Sequence, residues 1–457
     1  MKPSTKYYST NLKAPGVSFR EALFRGLAPD GGLYLPEKFP YLDRKELEAL
    51  SDESYPLLAS EIMSRLIGNE AEKDIISNIC HDIYTFSIPI ENIYETKYLM
   101  RLDQGPTSSF KDFASLFMGR LMQYFLDIEG KYITILIATS GDTGSAVANA
   151  FYGLKNIGVV ILFPSEEVTD MQRKQMTTLG DNIKVIAVDG KFDDCQRLVK
   201  KAFMDPSLSG FNLSSANSIN IGRLLPQTVY YFWAWRKLSG NPDKPVIFSV
   251  PSGNFGNVAG GIIARKMGLP AKRFVIATNE NDEVPNYFKT GVYKVISPSR
   301  NCISSAMNVG HPSNMARIIA IYGGIMNENG KILKAPDLGK MHSELYATSI
   351  TERETVKTIE SFYRQYNKLL EPHGAVAWSG LQKFLNSNPG SESSDLIYIS
   401  LETAHPAKFG RELKEILDIN PIQPDSLVKI NSKIEDYISL DNEYEPLKNF
   451  IIKNYKP

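Results

Sequence analysis

Only three cysteines, Cys80, Cys195 and Cys302, are spread over the 457 residues. They are too few and too far apart for a disulfide framework, and their scarcity suits a reducing cytosol. No sign of charge dominates, because 51 Lys and Arg balance 51 Asp and Glu. A chain of zero net charge exerts no general attraction on nucleic acid or anionic membrane, although a local basic pocket remains compatible with it. Long hydrophobic runs are missing too. Stretches such as Ile133–Ala138 and Val159–Phe163 are strand-sized, whereas a membrane helix needs about 20 apolar residues. The first residues, Met1 to Tyr8, carry no apolar leader core. The five histidines are scattered, Cys80 and His81 are adjacent and poorly placed to share a metal, and no glycine-rich Gly-Lys-Ser/Thr loop, His-Glu-x-x-His or Cys-x-x-Cys pair occurs. The expectation is a cytoplasmic protein with no metal, nucleic-acid or membrane partner.

What is present describes an ordinary globular chain. Hydrophobic residues make up 43 %, enough for sizeable cores and too many for intrinsic disorder. At roughly 150 residues per domain, the length suggests about three domains, or two with an appendage. Residues 1–90 read as a small, mainly helical accessory domain with an irregular start. A helix follows the possible N-cap Ser18, a turn occupies Pro29-Asp30-Gly31-Gly32, and helical patterns cover 42–50, 55–66 and 70–85. From about 95, short apolar runs alternate with amphipathic stretches: strands at 133–138, 159–164 and 184–188, helices at 146–152, 169–179 and 193–203. A second series has strands at 246–250, 274–278 and 397–401 and a helix at 257–266. This alternation predicts right-handed crossovers and α/β units with mostly parallel sheets. We divide the chain into 1–90, a first α/β unit at 91–240 and a second at 241–457, its last 35 residues read as a tail on the surface.

Three loops carry candidate chemistry. In Ser109-Phe110-Lys111-Asp112-Phe113 a lysine sits between aromatics at the edge of an apolar stretch. Desolvation would lower its pKa and free the amine as a nucleophile; the plain alternative is a helix-start lysine snorkelling to solvent. Ala138-Thr139-Ser140-Gly141-Asp142-Thr143-Gly144 lies between a strand and a helix, where hydroxyls and free N–H groups suit a carboxylate or phosphate. It could equally be a strand-to-helix turn capped by Ser140 or Asp142. Ser252-Gly253-Asn254-Phe255-Gly256-Asn257 occupies a similar position, and its glycines would let N–H groups converge on one phosphate. Together the three describe a phosphorylated carbonyl cofactor with a Schiff-base lysine, and a pocket for an anionic substrate.

With these blocks in hand the chain resembles the threonine synthases, pyridoxal-phosphate enzymes of the tryptophan-synthase-β fold type, in their longer form with an N-terminal domain. The resemblance runs almost end to end. It includes Tyr7-Tyr8-Ser9-Thr10, Gly26 to Tyr34, the three loops above, Asn217-Ser218-Ile219-Asn220, Ser305-Ala306-Met307-Asn308, Glu371-Pro372-His373 and Thr403 to Phe409. It implies pyridoxal 5′-phosphate linked to Lys111, which then shuttles protons. Gly253, Asn254, Phe255, Gly256 and Asn257 would cradle the cofactor phosphate, although Phe255 could simply be core. Thr139, Ser140 and Gly141 would receive the substrate carboxylate. Asp142 stands where relatives hold an amide against the cofactor 3′-oxygen, so it must share a proton there or stand back. Thr403 would donate to an unprotonated ring nitrogen, a less complete electron sink than a carboxylate partner gives.

The implied substrate is O-phosphohomoserine, its phosphate held by Ser218, Arg223 and Thr143; Arg223 could instead be a surface ion-pair partner. The implied reaction yields threonine and phosphate in a protein read as a monomer. Met307-Asn308 replaces a common Met-Asp, and Tyr293 to Arg300 also departs from the pattern, without touching an assigned role. The rival enzyme reading is a phospholyase releasing 2-oxobutyrate; the non-enzyme rival is a sensor of the cofactor or an amino-acid phosphate. A dehydratase or sulfhydrylase of the same fold is disfavoured by the long N-terminal domain and the Ser218/Arg223 pair.

Overall fold

Two parallel sheets, each built around strands with no polar face, organise the computed structural model, which describes residues 5–50, 52–390 and 395–455. Residues 1–4, part of the stretch expected to carry no apolar leader core, lie outside the described residues. Ile133–Ala138, Ile157–Pro164 and Val246–Pro251 are buried at every position. Only a strand covered by helices on both sheet faces can satisfy such a run.

The first sheet has the spatial order Ile438–Asp441, Ile183–Asp189, Ile157–Pro164, Ile133–Ala138, Leu213–Ser214, all parallel. The second has the order Leu345–Ser349, Ala271–Thr278, Val246–Pro251, Ile397–Glu402, Lys97–Arg101, Ile90–Tyr94. It is parallel except for the last pair, an antiparallel hairpin.

Chain segments cross residue 240 in both directions. The hairpin at 90–101 joins the sheet otherwise made from 246–402, and the strand Ile438–Asp441 joins the sheet of the first unit. The C-terminal stretch is therefore more than a surface tail. After that edge strand, the helix Tyr444–Asn454 buries Tyr444, Leu447 and Ile451 with Leu198 and Val160 in one core cluster.

The N-terminal region contains the expected helices, Phe19–Arg25 capped by Ser18, Arg44–Glu48, Tyr55–Ile67 capped by Ser54, and Lys73–Ile83. Its irregular start also holds an antiparallel ribbon pairing Tyr7–Ser9 with Tyr34–Pro36. This region shares the main core. Tyr55 and Tyr84 pack against Phe113, and Tyr84 Oη donates to the Phe113 carbonyl at 2.9 Å. Those contacts anchor the first turn of the helix Lys111–Glu129. Three site loops then leave the carboxyl ends of strands at Ala138, Pro251 and Glu402, the place where open parallel sheets bind ligands.

Candidate active site

Lys111 opens its helix, and the loop before it is fixed from two sides. Asp112 accepts from Thr107 N at 2.8 Å and Thr107 Oγ1 at 2.5 Å. Phe110 N–H donates to the Thr403 carbonyl at 2.9 Å and His405 N–H to the Ser108 carbonyl at 3.0 Å, flanking a bridge between Ser109 and Ala404. The Lys111 ammonium lies 5.0 Å from the Phe110 ring centroid and 3.6 Å from Asp142 Oδ2. Burial pushes its pKa below the ordinary lysine value; Asp142 opposes that shift, while the charges of Lys408 and Arg223 add to it. The solvent-snorkelling alternative is thus not what the fold builds.

Asp142 begins the helix Asp142–Phe151 and is a clamped carboxylate. Its Oδ1 lies 2.5 Å from Lys408 Nζ and accepts from Gln172 Nε2 at 2.9 Å. Burial alone would raise its pKa, but Lys408, Lys111 and Gln172 together hold it far below the usual carboxylate range. The same turn constrains Thr139. Its Oγ1 accepts from Gly141 N at 3.0 Å and Gly144 N at 2.8 Å, and its own N–H is spent on the Leu162 carbonyl. Thr139 thus shapes the turn. Among the described residues, the N–H groups of Ser140, Asp142 and Thr143 there meet no protein acceptor. Gly141 has φ +131°, and a Cβ on it would lie 2.4 Å from Gln172, so this position needs glycine.

The loop at 252–257 is built for an anion. Among the described residues, no protein acceptor meets the N–H groups of Gly253, Asn254, Phe255, Gly256 or Asn257. Phe255 holds a left-handed φ of 61° while its side chain is buried in the main core, so the core reading holds for the side chain and the backbone N–H is left free. Gly253 is packed so closely that a Cβ would sit 2.7 Å from the Ala306 carbonyl oxygen. Asn257 Oδ1 accepts from the Tyr230 and Tyr231 hydroxyls at 2.6 Å each, and its buried Nδ2 has no partner. An orphaned amide donor beside free N–H groups at a helix N-terminus fits a phosphate.

Arg223 is buried, not a surface ion-pair partner. One guanidinium nitrogen donates to the Ala216 carbonyl at 2.6 Å, while its Nε is buried without a partner. Burial pushes its pKa down to about 10, against the pull of Asp112. Ser218, five residues earlier, faces Gly256: a Cβ on that glycine would lie 3.7 Å from Ser218 Cβ. A second buried guanidinium, Arg317, donates to the carbonyls of Ser218 at 3.0 Å, Ile219 at 2.6 Å and Tyr34 at 3.0 Å. Asn314, which accepts from Arg317, also donates to the Asn254 carbonyl at 2.9 Å. This network ties the Ser218 loop to the anion cradle.

Thr403 follows the strand Ile397–Glu402, and its hydroxyl donates to Glu371 Oε1 at 3.2 Å. Sequence reading missed roles for Lys408, Glu371 and Arg317. Lys408 and Glu371 both lie inside blocks that carry the family resemblance, yet their partners are distant in sequence. Arg317 sits in no such block and offered no signal.

A family model described as pyridoxal-phosphate-dependent enzyme matches residues 89–399. That is the class which the two parallel sheets, the desolvated lysine and the N–H cradle define. Models described as threonine synthase N terminus and threonine synthase C-terminal match 6–84 and 375–451. The chain is 41 % identical over 450 residues to a threonine synthase of Haemophilus influenzae, covering 97 % of this chain and 99 % of that one. It superimposes on a pyridoxal-phosphate-bound threonine synthase from Brucella melitensis with TM-score 0.91 at 34 % identity, covering 99 % and 100 % of the two chains. A threonine synthase from yeast matches with TM-score 0.88 at 30 % identity over 98 % of each. The chain belongs to the threonine synthase family. Among the described residues, no helix is long and apolar enough to cross a membrane.

Proposed function

We propose that this protein converts O-phospho-L-homoserine and water to L-threonine and phosphate. The observation that carries the choice of substrate is Arg223, a buried guanidinium with an unpartnered Nε. Leaving such a cation unpaired is costly, and a phosphate dianion is the partner a planar donor suits. Ser218 and Thr143 complete this phosphate site, with Arg317 holding the Ser218 loop in place.

The cofactor phosphate is received by the N–H groups of Gly253 to Asn257 and by Asn257 Nδ2. Lys111 binds the cofactor aldehyde and Thr403 faces its ring nitrogen. When bound, pyridoxal phosphate supplies a conjugated ring that accepts electron density from the substrate α-carbon. The substrate carboxylate is received by Ser140 and the free N–H groups at the start of the helix Asp142–Phe151, with Thr139 and Gly141 giving the turn its shape. Asp142 does not exchange protons in this reading; clamped by Lys408, it stays anionic and faces Lys111.

With cofactor and substrate bound, the Lys111 amine would remove the α-proton, pass it to solvent, and then remove a β-proton. Phosphate leaves the γ-carbon toward Arg223. The Lys111 ammonium would return one proton to the γ-carbon and, after water adds its hydroxyl at the β-carbon, a second to the α-carbon, while the proton given up by that water goes to the departed phosphate. Repeated transfers by one amine need its pKa near the working pH, and burial moves Lys111 in that direction. The buried free cysteines support a cytoplasmic setting, and resemblance to the longer family form supports a monomer.

Product analysis tests the reading. The protein loaded with pyridoxal phosphate and given O-phosphohomoserine should release threonine and phosphate in equal amounts. Phosphate with 2-oxobutyrate would make it a phospholyase, and no phosphate release would remove the assigned substrate.

A further inference from the structure

The buried acid beneath Thr403 bears on the cofactor's electronics. Glu371 is fully buried and receives four donors: His373 N–H at 2.6 Å, Gly374 N–H at 2.9 Å, His373 Nδ1, and the Thr403 hydroxyl at 3.2 Å. The histidine tautomer is fixed by its other nitrogen, because Ala306 N–H donates to His373 Nε2 at 3.2 Å. Nδ1 therefore carries the proton and donates it to Glu371. Three of these four partners are N–H groups that can only donate, an arrangement that holds Glu371 as the anion, and toward an anion the Thr403 hydroxyl is the donor. Its neighbour Glu402 accepts the Glu371 N–H at 2.7 Å. Burial, reinforced by the Glu371 charge, drives the Glu402 pKa well above the carboxylate range.

A hydroxyl has one proton. If Thr403 gives it to Glu371 in a charge-assisted bond, Thr403 Oγ1 faces the site only as an acceptor. This reverses the expectation that Thr403 donates to an unprotonated ring nitrogen. We infer that Glu371, acting through Thr403, keeps the ring nitrogen of bound pyridoxal phosphate protonated, with that N–H donating to Thr403 Oγ1. The inference rests on the assignment of Thr403 to the ring nitrogen made above. Its consequence is a stronger electron sink than a neutral pyridine gives, placed where protons must be drawn from two successive carbons. Glu371 is a positioning residue in this scheme, since it touches neither substrate nor cofactor.

The test reads the ring directly. Protein loaded with pyridoxal phosphate carrying 15N in its ring is compared by NMR as wild type, Glu371→Gln, Thr403→Ala, Thr403→Ser and Glu402→Gln. The expected wild-type resonance is that of a protonated pyridine. Glu371→Gln and Thr403→Ala should move it toward the neutral value, whereas Thr403→Ser and Glu402→Gln should retain the wild-type position. A neutral ring nitrogen in the wild type overturns the inference without any variant having to fold, and leaves Lys111 and the phosphate sites standing. A shift in Thr403→Ala with none in Glu371→Gln overturns the relay but keeps Thr403 at the ring. An unchanged resonance in Thr403→Ala overturns the placement of Thr403 itself, and the relay with it.

Discussion

Lys408 Nζ stands 2.5 Å from Asp142 Oδ1, with the two side chains 0 % and 3 % exposed. The lysine also donates to the Thr107 carbonyl at 3.1 Å, so it joins the Lys111 loop to the turn at 139–144. Around Lys111 the fold thus gathers two further cations, Lys408 and Arg223, and clamps one carboxylate between the ammonium groups. A site with that surplus of positive charge is made to be completed by anions.

Breaking the pair from either side should be severe. Lys408→Met or Asp142→Asn alone is expected to cost about 3–5 kcal/mol, because the remaining charge stays buried. The double substitution should cost clearly less than the sum of the two. Urea unfolding of the four proteins measures this, and strictly additive losses would mean that the pair is not coupled.

Borohydride reduction of the cofactor-loaded protein should fix the cofactor on the peptide containing Lys111, as read by mass spectrometry. Lys111→Ala should lose that adduct and at least about 10³-fold in kcat, since the nucleophile and the proton carrier are one group. An adduct on another lysine would move the site.

Arg223 should show function and stability pulling in opposite directions. Arg223→Met is expected to lower kcat/KM by about 10²-fold, a loss of ~3 kcal/mol of charge-assisted phosphate binding. The same change should leave thermal stability equal or higher, because it removes a buried cation that has no carboxylate partner. Unchanged kinetics in this variant would remove Arg223 from the phosphate site.

Glu283 supplies a pH test away from the site. It is 2 % exposed, its Oε2 has no partner, and burial pushes its pKa up to about 8 from 4.5. The folded state therefore holds this proton more tightly than the unfolded chain. Stability is complete below about pH 4.5 and falls as pH rises toward 8. Glu283→Gln should match wild type at pH 5 and exceed it by about 1–3 kcal/mol at pH 8.5, as urea midpoints would show. Equal midpoints at pH 8.5 would mean that water reaches the carboxylate.

Much of the fold is legible wherever a segment's own pattern decides its structure. Ile133–Ala138 matches its expected bounds residue for residue, because five apolar residues interrupted only by the β-branched Thr134 make a strand buried on both faces. Lys97–Arg101 escaped notice because its ends are charged, yet it lies inside the second sheet, with Lys97 set against the Tyr94 and Tyr398 rings. Ile438–Asp441 escaped because an exposed edge strand needs little hydrophobicity of its own.

The sequence by itself determined the parallel α/β class, the lysine loop and the two anion-suited turns. Strand pattern, glycine placement and ordered blocks are local properties, and through the family resemblance they lead to pyridoxal phosphate. Only the tertiary structure decided which charges meet. Lys408 lies 266 residues from Asp142, and Glu371 lies 32 from Thr403. Nothing in either segment's periodicity specifies such pairings. They arise because parallel strands from distant parts of the chain end on the same side of two sheets, and burial there leaves each charged group only the partners that the fold brings.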